Sequence, residues 1–472
     1  MEKDLLRSLP SVDEVLNNTE VEPLTKAYGR DAVVNAVRDV LGGLRSELVK
    51  EDSTVTLEDI SVEKIILRVA SHLRQKSTPS LRYAVNASGV ILHTGLGRAM
   101  LSPKAVDAIN DVIRGYCVLA VDLETGERGH RDSHLNGLLC ELTGAEAATV
   151  VNNNAAATML ILNTLAKGKE VIVSRGQLVE IGGSFRMPEV METSGAILRE
   201  VGTTNKTHLR DYVSAINENT GAILRVHQSN YRIIGFFEEP PIEELVEVGR
   251  KHALPVIDDL GSGALIDLKP FGLEMEPMVQ DSVKAGVDVA CFSGDKLIGG
   301  PQSGAIVGKA QVIERIRKNP LARAFRVGKM TIAAMEATLR LFLNREKLRE
   351  EHPTYRMLSL TVNELETRAR KVADDLSDLN GTAADIRVVD GQTQVGSGSV
   401  PTETVPTKLL SVRAISLSSG NLAKELRYGA PPIFARVHKE TVLFDFRIIQ
   451  QDEDALVGAA LRKVLQGGES RS

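Results

Sequence analysis

Short apolar runs alternate with helical stretches between Leu81 and about Gly308, and this alternation points to one class of fold. The apolar runs are nearly continuous, which is typical of strands that are covered on both faces of a sheet. They are ATVV at 148–151, EVIVS at 170–174, AILREV at 196–201, AILRVH at 222–227, LPVIDD at 254–259, VDVACFS at 287–293 and SGAIVG at 303–308. Strands separated by helices predict an α/β layer sandwich with a mostly parallel sheet.

The segments on either side of this region differ from it. Residues 31–48, with Asp31 as a predicted N-cap, and residues 61–76 carry apolar side chains at helical spacing. After about Lys329, helical patterns at 331–348 and 354–379 precede a strand-rich end, in which VLFDFRII at 442–449 alternates cleanly and IFARVHKETVLFDFR is typical of a hairpin. We therefore expect a helical N-terminal domain over 1–78, a central α/β domain over 79–335 and a smaller α+β domain over 336–472.

The composition argues against several classes of function. The 472 residues carry 57 Lys and Arg against 62 Asp and Glu, whereas a surface that binds nucleic acid without specificity is usually basic. Tryptophan is absent, so base-stacking platforms are not expected. The three cysteines, Cys117, Cys140 and Cys291, form no CxxC pattern, and we expect no metal site. A charged start and the lack of a long apolar run favour a cytoplasmic protein.

The segment CFSGDKLIGGPQSGAIVG, residues 291–308, carries the most informative chemistry. A strand of the buried type ends near Phe292, and Lys296 follows among small and apolar residues. Burial lowers the pKa of a lysine, and a neutral amine can form a Schiff base. Glycines next to it let the backbone approach a flat ligand. Taken alone, the pattern also fits a surface lysine in a turn.

A second strand, in LPVIDDLGSG at 254–263, ends in Asp258 and Asp259. In enzymes that use pyridoxal 5′-phosphate (PLP), a carboxylate at a strand end keeps the pyridine nitrogen protonated. The strand pattern does not distinguish the two aspartates. An Asp pair at this position also fits a metal site or a helix cap.

A third strand leads through asparagines into a helix, in AATVVNNNAAATMLIL at 147–162. The amides at this helix start, at Asn153, Asn154 and Ala155, are candidates to bind a cofactor phosphate, although simple capping by asparagine is the alternative. A phosphate turn, then an aspartate, then a lysine is the order found in aspartate-aminotransferase-like (fold type I) PLP enzymes. We therefore expect that fold for the large domain.

Basic residues lie in two further segments. NASGVILHTGLGRAMLS, 86–102, holds His93 and Arg98 in a glycine-rich turn, and KNPLARAFRVGKM, 318–330, holds Arg323 and Arg326. Three residues apart on a helix, Arg323 and Arg326 would lie on one side and offer paired guanidinium groups to a tetrahedral oxyanion. A solvated face or an ion pair between subunits would give the same pattern.

Together these segments resemble bacterial selenocysteine synthase, the L-seryl-tRNA(Sec) selenium transferase family, nearly from end to end. The resemblance rests on NASGVILHTGLGRA, ETGERGHR, NNNAAA, DLGSG, FSGDKLIGGPQSG and RAFRVGKMT. It implies PLP as the cofactor, Lys296 as its Schiff-base lysine and Asp259, in the DLGSG block, as the residue facing the pyridine nitrogen. It also implies that Arg98, Arg323 and Arg326 bind the anionic substrate.

The activity implied by this resemblance is the conversion of L-seryl-tRNA(Sec) to L-selenocysteinyl-tRNA(Sec). The seryl hydroxyl would leave, giving an aminoacrylyl intermediate, and selenium from selenophosphate would add. Lys296 would take the Cα proton, and His93 or a residue of ETGERGHR is a candidate to protonate the departing hydroxyl. The resemblance further implies that the N-terminal domain binds tRNA(Sec), and that the chain forms a homo-oligomeric ring of dimers, expected to be a decamer. No membrane or DNA partner is expected.

Two other functions remain open at this point. One is a PLP-dependent lyase acting on a free small amino acid or sugar acid, and such relatives would be expected to lack the N-terminal domain. The other is a catalytically inactive tRNA-binding scaffold. The presence of both Asp259 and Lys296 argues against this second alternative.

Overall fold

The computed structural model describes residues 2–50, 55–182, 185–273, 276–396 and 403–467. The chain divides into two compact units, residues 1–83 and 84–472. Each unit is built around apolar clusters of its own.

The first unit is helical. Its helices are α1 (Glu2–Arg7), α2 (Val12–Leu16), α3 (Glu22–Tyr28), α4 (Arg30–Leu48) and α5 (Val62–Ser77). The two long helices follow the predicted periodicity, and their apolar stripes are buried against each other, for example at Val37 and Val69. The predicted N-cap at Asp31 is wrong, because the N-cap is Gly29, with a φ of 86°, two residues earlier. Ser61 caps α5 by accepting a bond from the Lys64 amide.

The second unit contains all of the strands in the described ranges. They are β1 (Val85–Ala87), β2 (Ala147–Val151), β3 (Glu170–Ser174), β4 (Glu180–Ile181), β5 (Phe185–Arg186), β6 (Ile197–Val201), β7 (Thr220–Val226), β8 (Val256–Gly261), β9 (Val289–Ser293), β10 (Gly304–Gly308), β11 (Ala384–Gln394), β12 (Thr404–Ala414), β13 (Ile433–His438) and β14 (Thr441–Asp445).

Helices occur between most of these strands. They are α6 (Pro103–Ile113), α7 (Ser133–Thr143), α8 (Asn154–Ala166), α9 (Met187–Thr193), α10 (Leu209–Ala215), α11 (Ile242–His252), α12 (Val279–Ala285), α13 (Ala310–Lys318), α14 (Pro320–Ala324), α15 (Lys329–Leu341), α16 (Arg345–Glu351), α17 (Pro353–Ser359), α18 (Val362–Asp375), α19 (Ser419–Arg427) and α20 (Asp454–Gly467).

The central sheet has the predicted, mostly parallel arrangement. Among the described residues it contains seven strands in the order β2-β10-β9-β8-β7-β3-β6, and β10 runs antiparallel to both of its neighbours. Successive residues of a strand belong alternately to two apolar clusters, as Val256 and Ile257 on β8 show. Because both faces of the sheet are covered along its inner strands, those strands are mostly apolar, which explains the continuous runs seen in the sequence. The edge strand β6 differs, since Ile197, Arg199 and Glu200 are exposed.

The topology brings the chemically interesting strand ends together. Strands β7, β8 and β9 are parallel neighbours, so their carboxyl ends meet at one edge of the sheet. Strand β2 ends at the same edge, because two antiparallel pairings through β10 leave it parallel to β9. The segments that follow these strands therefore form one site, as expected for an open α/β sheet.

The C-terminal part is α+β, with a second sheet in the order β1-β13-β14-β12-β11 over the described residues. Its first strand comes from residues 85–87, far from the others in sequence. The predicted hairpin is present as β13 and β14, but the strand expected over 442–449 ends at Asp445. The Asp445 carboxylate and carbonyl accept bonds from the amides of residues 447–449, and these bonds turn the chain.

The helical patterns predicted over 331–348 and 354–379 are each broken in the structure. Asn344 accepts a bond from the Lys347 amide and begins α16. Thr361 and Glu364 form a reciprocal capping box that begins α18. Local capping residues thus interrupt patterns whose apolar periodicity continues through them. Within the described residues, no helix combines the length and apolar character needed to cross a membrane.

Candidate active site

Lys296 lies in a tightly bonded loop just after β9. It is 4% exposed. Burial lowers the pKa of its ammonium group, and the nearby positive charge of Arg98 lowers it further. The carboxylates of Asp295, Asp259 and Glu276 act in the opposite direction. Lys296 is therefore a buried amine at the sheet edge, the setting that favours a nucleophilic lysine.

Arg98 reaches this loop from the glycine-rich turn. Its Nη1 donates a bond of 2.8 Å to Oδ2 of Asp295, and the Ala99 amide donates to the Asp295 carbonyl at 3.3 Å. Arg98 has a φ of 62°, in the left-handed region that side chains other than glycine seldom adopt. The turn is thus held in an uncommon conformation that places a guanidinium group beside the lysine.

Asp259 is held at the end of β8 by three donors. Its Oδ1 accepts from Nδ2 of Asn154 at 2.8 Å and from the Gly261 amide at 3.1 Å, and Oδ2 accepts from the Thr158 hydroxyl at 2.8 Å. Burial nevertheless raises the pKa of the Asp259 carboxyl, because these neutral donors only partly replace water. A positive partner would favour the ionised form of this carboxylate.

Asp258 has a separate role in packing. It lies directly opposite Arg225 on β7, and the two side chains form a bidentate pair with both N–O distances at 2.7 Å. The Ser282 hydroxyl donates to the same carboxylate at 2.6 Å. Neighbouring residues on a strand face opposite sides of a sheet, so only one aspartate of this pair faces the Asn154 and Thr158 side chains.

The asparagine turn joins β2 to α8. The Asn153 side chain accepts from the Ala156 amide at 2.8 Å and caps the helix. Gly304 lies so close that a Cβ there would be 2.2 Å from the Asn153 carbonyl oxygen. In the described part of the chain, the buried Oδ1 atom of Asn154 has no hydrogen-bond partner. The turn therefore combines a helix N-terminus with an unsatisfied polar atom beside Asp259.

These residues fit PLP. Lys296 offers an amine for its aldehyde group, Asp259 offers a buried carboxylate for a protonated ring nitrogen, and the first amides of α8, at Asn153, Asn154 and Ala155, suit its phosphate. The raised pKa of Asp259 and the unpartnered Asn154 Oδ1 are both features that a bound polar ligand would relieve. Across the described ranges, no group of three His, Cys, Asp or Glu side chains could hold a metal ion.

Two residues near this site were not singled out in the sequence. His227 follows β7, and its amide donates to the Asp259 carbonyl at 2.8 Å. The Glu276 side chain is 1% exposed, with Oε2 at 3.6 Å from Nε2 of His227. The position of His227 at the end of a predicted strand was an available signal. Glu276 lies in a loop and had none.

Arg323 and Arg326 line another cavity, with a volume of about 440 Å³. The predicted helix does not carry both of them, because α14 ends at Ala324 and Arg326 pairs with Val151 as an isolated bridge. The other arginines described along this cavity wall are Arg128, Arg131 and Arg317. Arg98 instead lines a separate cavity of about 430 Å³. One chain therefore does not bring the three expected anion-binding arginines into a single cavity.

The charge around the arginine cavity is poorly balanced. Its lining includes one carboxylate, Asp132, which is already paired with Arg317 at 2.8 Å. Burial, and then the charge of Arg326, lower the pKa of Arg131. Nη1 of Arg131 is fixed by a bond of 2.9 Å to the Val327 carbonyl. Arginine side chains gathered in this way have the charge and the donors that suit an anion.

The two candidates for the acid that assists hydroxyl loss lie in different places. His93 precedes the Arg98 turn, and its buried Nδ1 has no partner within the ranges that the structure describes. ETGERGHR, residues 124–131, forms a turn closed by a bond from the Gly126 amide to the Asp122 carbonyl, and its last residues line the arginine cavity.

Comparisons with known proteins identify the family of this chain. Residues 84–450 match the family model described as L-seryl-tRNA selenium transferase, and residues 6–45 match that of the selenocysteine synthase N terminal. Proteins named L-seryl-tRNA(Sec) selenium transferase are similar over nearly their whole length. That of Nitratidesulfovibrio vulgaris is 48% identical, covering 98% of this chain and 99% of its own. That of Alkaliphilus metalliredigens is 47% identical, covering 98% of each.

A solved structure of D-glucosaminate-6-phosphate ammonia-lyase aligns with a TM-score of 0.57 and 21% identity. The alignment covers 84% of this chain and 99% of that chain, which shows a shared fold and agrees with the predicted fold type I architecture. The matches to curated relatives extend further and include the helical N-terminal segment. On this full-length similarity, the chain belongs to the L-seryl-tRNA selenium transferase family.

Proposed function

We propose that this chain is an L-seryl-tRNA(Sec) selenium transferase, a PLP-dependent enzyme that converts L-seryl-tRNA(Sec) to L-selenocysteinyl-tRNA(Sec). The observation that carries the proposal is the similarity over 98% of the chain to relatives of that name. The geometry at the carboxyl ends of β8 and β9 supports it, because a buried carboxylate, Asp259, and a buried amine, Lys296, follow neighbouring strands.

Lys296 would hold the cofactor and move the proton of the seryl Cα. Burial and Arg98 lower its pKa, so a larger fraction of its amine is neutral near physiological pH and able to act as a base. Asp259, ionised, would hold a proton on the cofactor's ring nitrogen. PLP bound there supplies an electron sink for the electron pair left at Cα. The β-hydroxyl would leave as water with a proton from an acid, for which His93 and ETGERGHR remain the candidates, and selenium would add at Cβ.

The arginine cavity is our proposed site for the selenium donor, selenophosphate. Arg323 and Arg326 line it, and Arg128 and Arg131 add to its positive charge. A multiply charged oxyanion would offset the repulsion that lowers the pKa of Arg131. Arg98 has a different proposed role. Its bond to Asp295 places its charge near Lys296, where it would lower the pKa of the amine.

The proposal includes a homo-oligomer, a ring of dimers that we expect to be a decamer. Large apolar side chains are exposed in the isolated chain from the end of α6 into the turn that follows, at Ile113, Tyr116 and Leu123. Such a patch is typical of a surface covered by another protein. It lies next in sequence to ETGERGHR, so a second copy would sit close to the arginine cavity. Cofactor sites at the dimer interface would then be completed by both copies.

We further propose that the N-terminal domain binds the tRNA and that the protein is cytoplasmic, where aminoacyl-tRNA is used. The match of residues 6–45 to the selenocysteine synthase N-terminal model supports a role specific to this family. The helical unit carries ion pairs such as Lys76–Asp39 on its surface and is not a continuous basic patch. Recognition through RNA shape requires no such patch.

The decisive experiment supplies the PLP-loaded protein with labelled selenophosphate and either seryl-tRNA(Sec) or seryl-tRNA(Ser). The amino acid released from each tRNA is then identified. Selenocysteine from tRNA(Sec) alone is the expected result. If neither tRNA is converted although PLP is bound at Lys296, the tRNA activity is wrong and the substrate belongs among small amino acids.

A further inference from the structure

The loop that carries Lys296 is bonded at every backbone carbonyl from residue 294 to residue 298. Three of these bonds come from backbone amides, since Gly300 donates to Gly294 at 2.8 Å, Ala99 to Asp295 at 3.3 Å and Gly299 to Lys296 at 2.9 Å. The two carbonyls after the lysine, those of Leu297 and Ile298, are left for donors from elsewhere.

Side chains from the α16–α17 junction supply these two donors. The Tyr355 hydroxyl donates to the Leu297 carbonyl at 3.0 Å, and Nε2 of His352 lies 2.9 Å from the Ile298 carbonyl oxygen. All four residues are at most marginally exposed. A buried carbonyl without a donor is costly, so these bonds contribute to fixing the path of the loop.

The loop contacts His352 so closely that only glycine fits at position 299 without a shift of the loop or the ring. Gly299 has a φ of 69°, and a Cβ at this position would lie 2.0 Å from Cε1 of the imidazole. The loop therefore turns at a glycine whose lack of a side chain leaves room for the histidine ring. Any other residue would have to displace the ring or the loop.

The His352 ring is fixed in position by its neighbours and is neutral. Phe342 packs edge-on against His352, with centroids 5.5 Å apart, and Tyr355 does so at 4.8 Å. Burial lowers the pKa of His352 to about 4, so the imidazole is neutral at physiological pH. A neutral ring has one N–H, and the bond to Ile298 requires that it be on Nε2.

We propose that His352 and Tyr355 are positioning residues for Lys296, which act by fixing the two carbonyls that follow it in the chain. This inference rests on the role proposed above for Lys296. Their donors hold the loop closed over the amine and keep it away from water. If either donor is removed, a carbonyl must find water, and the loop must open to admit it.

The test measures the lysine directly. In the full-length protein without cofactor, Lys296 is acetylated over a range of pH and quantified by mass spectrometry, with the exposed Lys371 as an internal reference. The midpoint of this profile reports the Lys296 pKa separately from access to the amine. A second readout is the pH titration of the absorption band of the lysine-bound cofactor.

The variants separate donation from packing. Tyr355→Phe removes one hydroxyl, His352→Leu removes the imidazole donor, and His352→Gln offers an amide near the position of Nε2. Tyr212→Phe is the matched control, because Tyr212 is equally buried but lies on α10. We expect Tyr355→Phe and His352→Leu to raise the midpoint by roughly 0.5–1 unit, which leaves about three- to tenfold less neutral amine at lower pH. His352→Gln should leave the midpoint close to that of the unmodified protein, and Tyr212→Phe should not shift it.

An unchanged midpoint in Tyr355→Phe would overturn the inference, and would show that the tyrosine only packs. Equal shifts in His352→Gln and His352→Leu would overturn the role of the histidine donor. If His352→Leu does not fold, Tyr355→Phe decides the outcome. The labelling uses neither cofactor nor tRNA, so its failure is distinct from a failure of the proposed activity, which the tRNA assay detects.

Discussion

Arg98 and Asp295 are 197 residues apart in sequence, yet their side chains are joined by a bond of 2.8 Å directly beside Lys296. The positive partner lowers the pKa of the lysine and the negative partner raises it. The two members of the ion pair therefore have opposite effects on the amine, and each effect can be tested by replacing one residue.

Removing Arg98 and removing Asp295 should shift the pKa of Lys296 in opposite directions. Arg98→Ala removes a positive charge and leaves Asp295 unpaired, so the Lys296 pKa should rise. Asp295→Asn removes a negative charge, so it should fall. The pH profile of Lys296 acetylation measures both. Shifts of the same sign in both variants would mean that altered burial, and not charge, dominates.

Lys296→Ala should abolish cofactor attachment and selenocysteine formation, because no amine remains at this position to hold the cofactor or move the Cα proton. The absorption spectrum with PLP and the tRNA assay check the two effects. Lys371→Ala, on the exposed surface of α18, is the control and should retain both. Turnover in Lys296→Ala would remove this residue from the mechanism.

The neighbouring aspartates should give contrasting losses. Asp259→Asn removes the charge that would hold the ring-nitrogen proton, so turnover should fall by about tenfold or more while the fold persists. Asp258→Asn breaks the buried pair with Arg225 and should cost about 3–5 kcal/mol of stability. Turnover and urea denaturation of both variants check this. A loss of turnover in Asp258→Asn without loss of stability would reverse the assignment.

Arg323→Ala should raise the KM for selenophosphate by about 10- to 100-fold, the effect of losing one charged hydrogen bond of ~1.5–3 kcal/mol. Binding of tRNA(Sec), measured by gel shift, should change little. Arg387→Ala, an exposed arginine on β11, serves as the control. If Arg323→Ala weakens both substrates equally, the cavity binds RNA or a second copy of the chain.

The buried His352 predicts a loss of stability in acid. Its pKa is about 4 in the folded protein and about 6.5 when exposed, so between these values the unfolded chain binds the extra proton. Stability from this source is present above pH ~6.5 and is lost as pH falls towards ~4, with roughly 2 kcal/mol lost by about pH 5. Urea denaturation at about pH 6.5 and about pH 5 measures this loss of stability, which should be smaller in His352→Gln than in the unmodified protein. Equal losses would contradict a neutral buried imidazole.

The sequence indicated which segments carry the candidate site, but it did not indicate which of their residues are in contact. The strand ends that carry Asp259 and Lys296, and the turn that carries Asn153 and Asn154, were all found from apolar runs followed by polar residues. The helix expected to hold Arg323 and Arg326 together ends between them. They still line one cavity, because Arg326 is held by pairing with Val151. That contact depends on a strand that is distant in sequence, so local periodicity could not predict it.

The sequence by itself determined the order of the layers and the positions of the strand ends, because covered strands and amphipathic helices leave distinct apolar periods. Tertiary structure decided which residues meet there. Asn154 donates to Asp259 across 105 residues, and His352 reaches the Ile298 carbonyl across 54. It also gave two adjacent aspartates different partners, since strand geometry turns Asp258 towards Arg225 and Asp259 towards Asn154. These contacts follow from the packing of distant segments, which satisfies buried polar groups that no local pattern specifies.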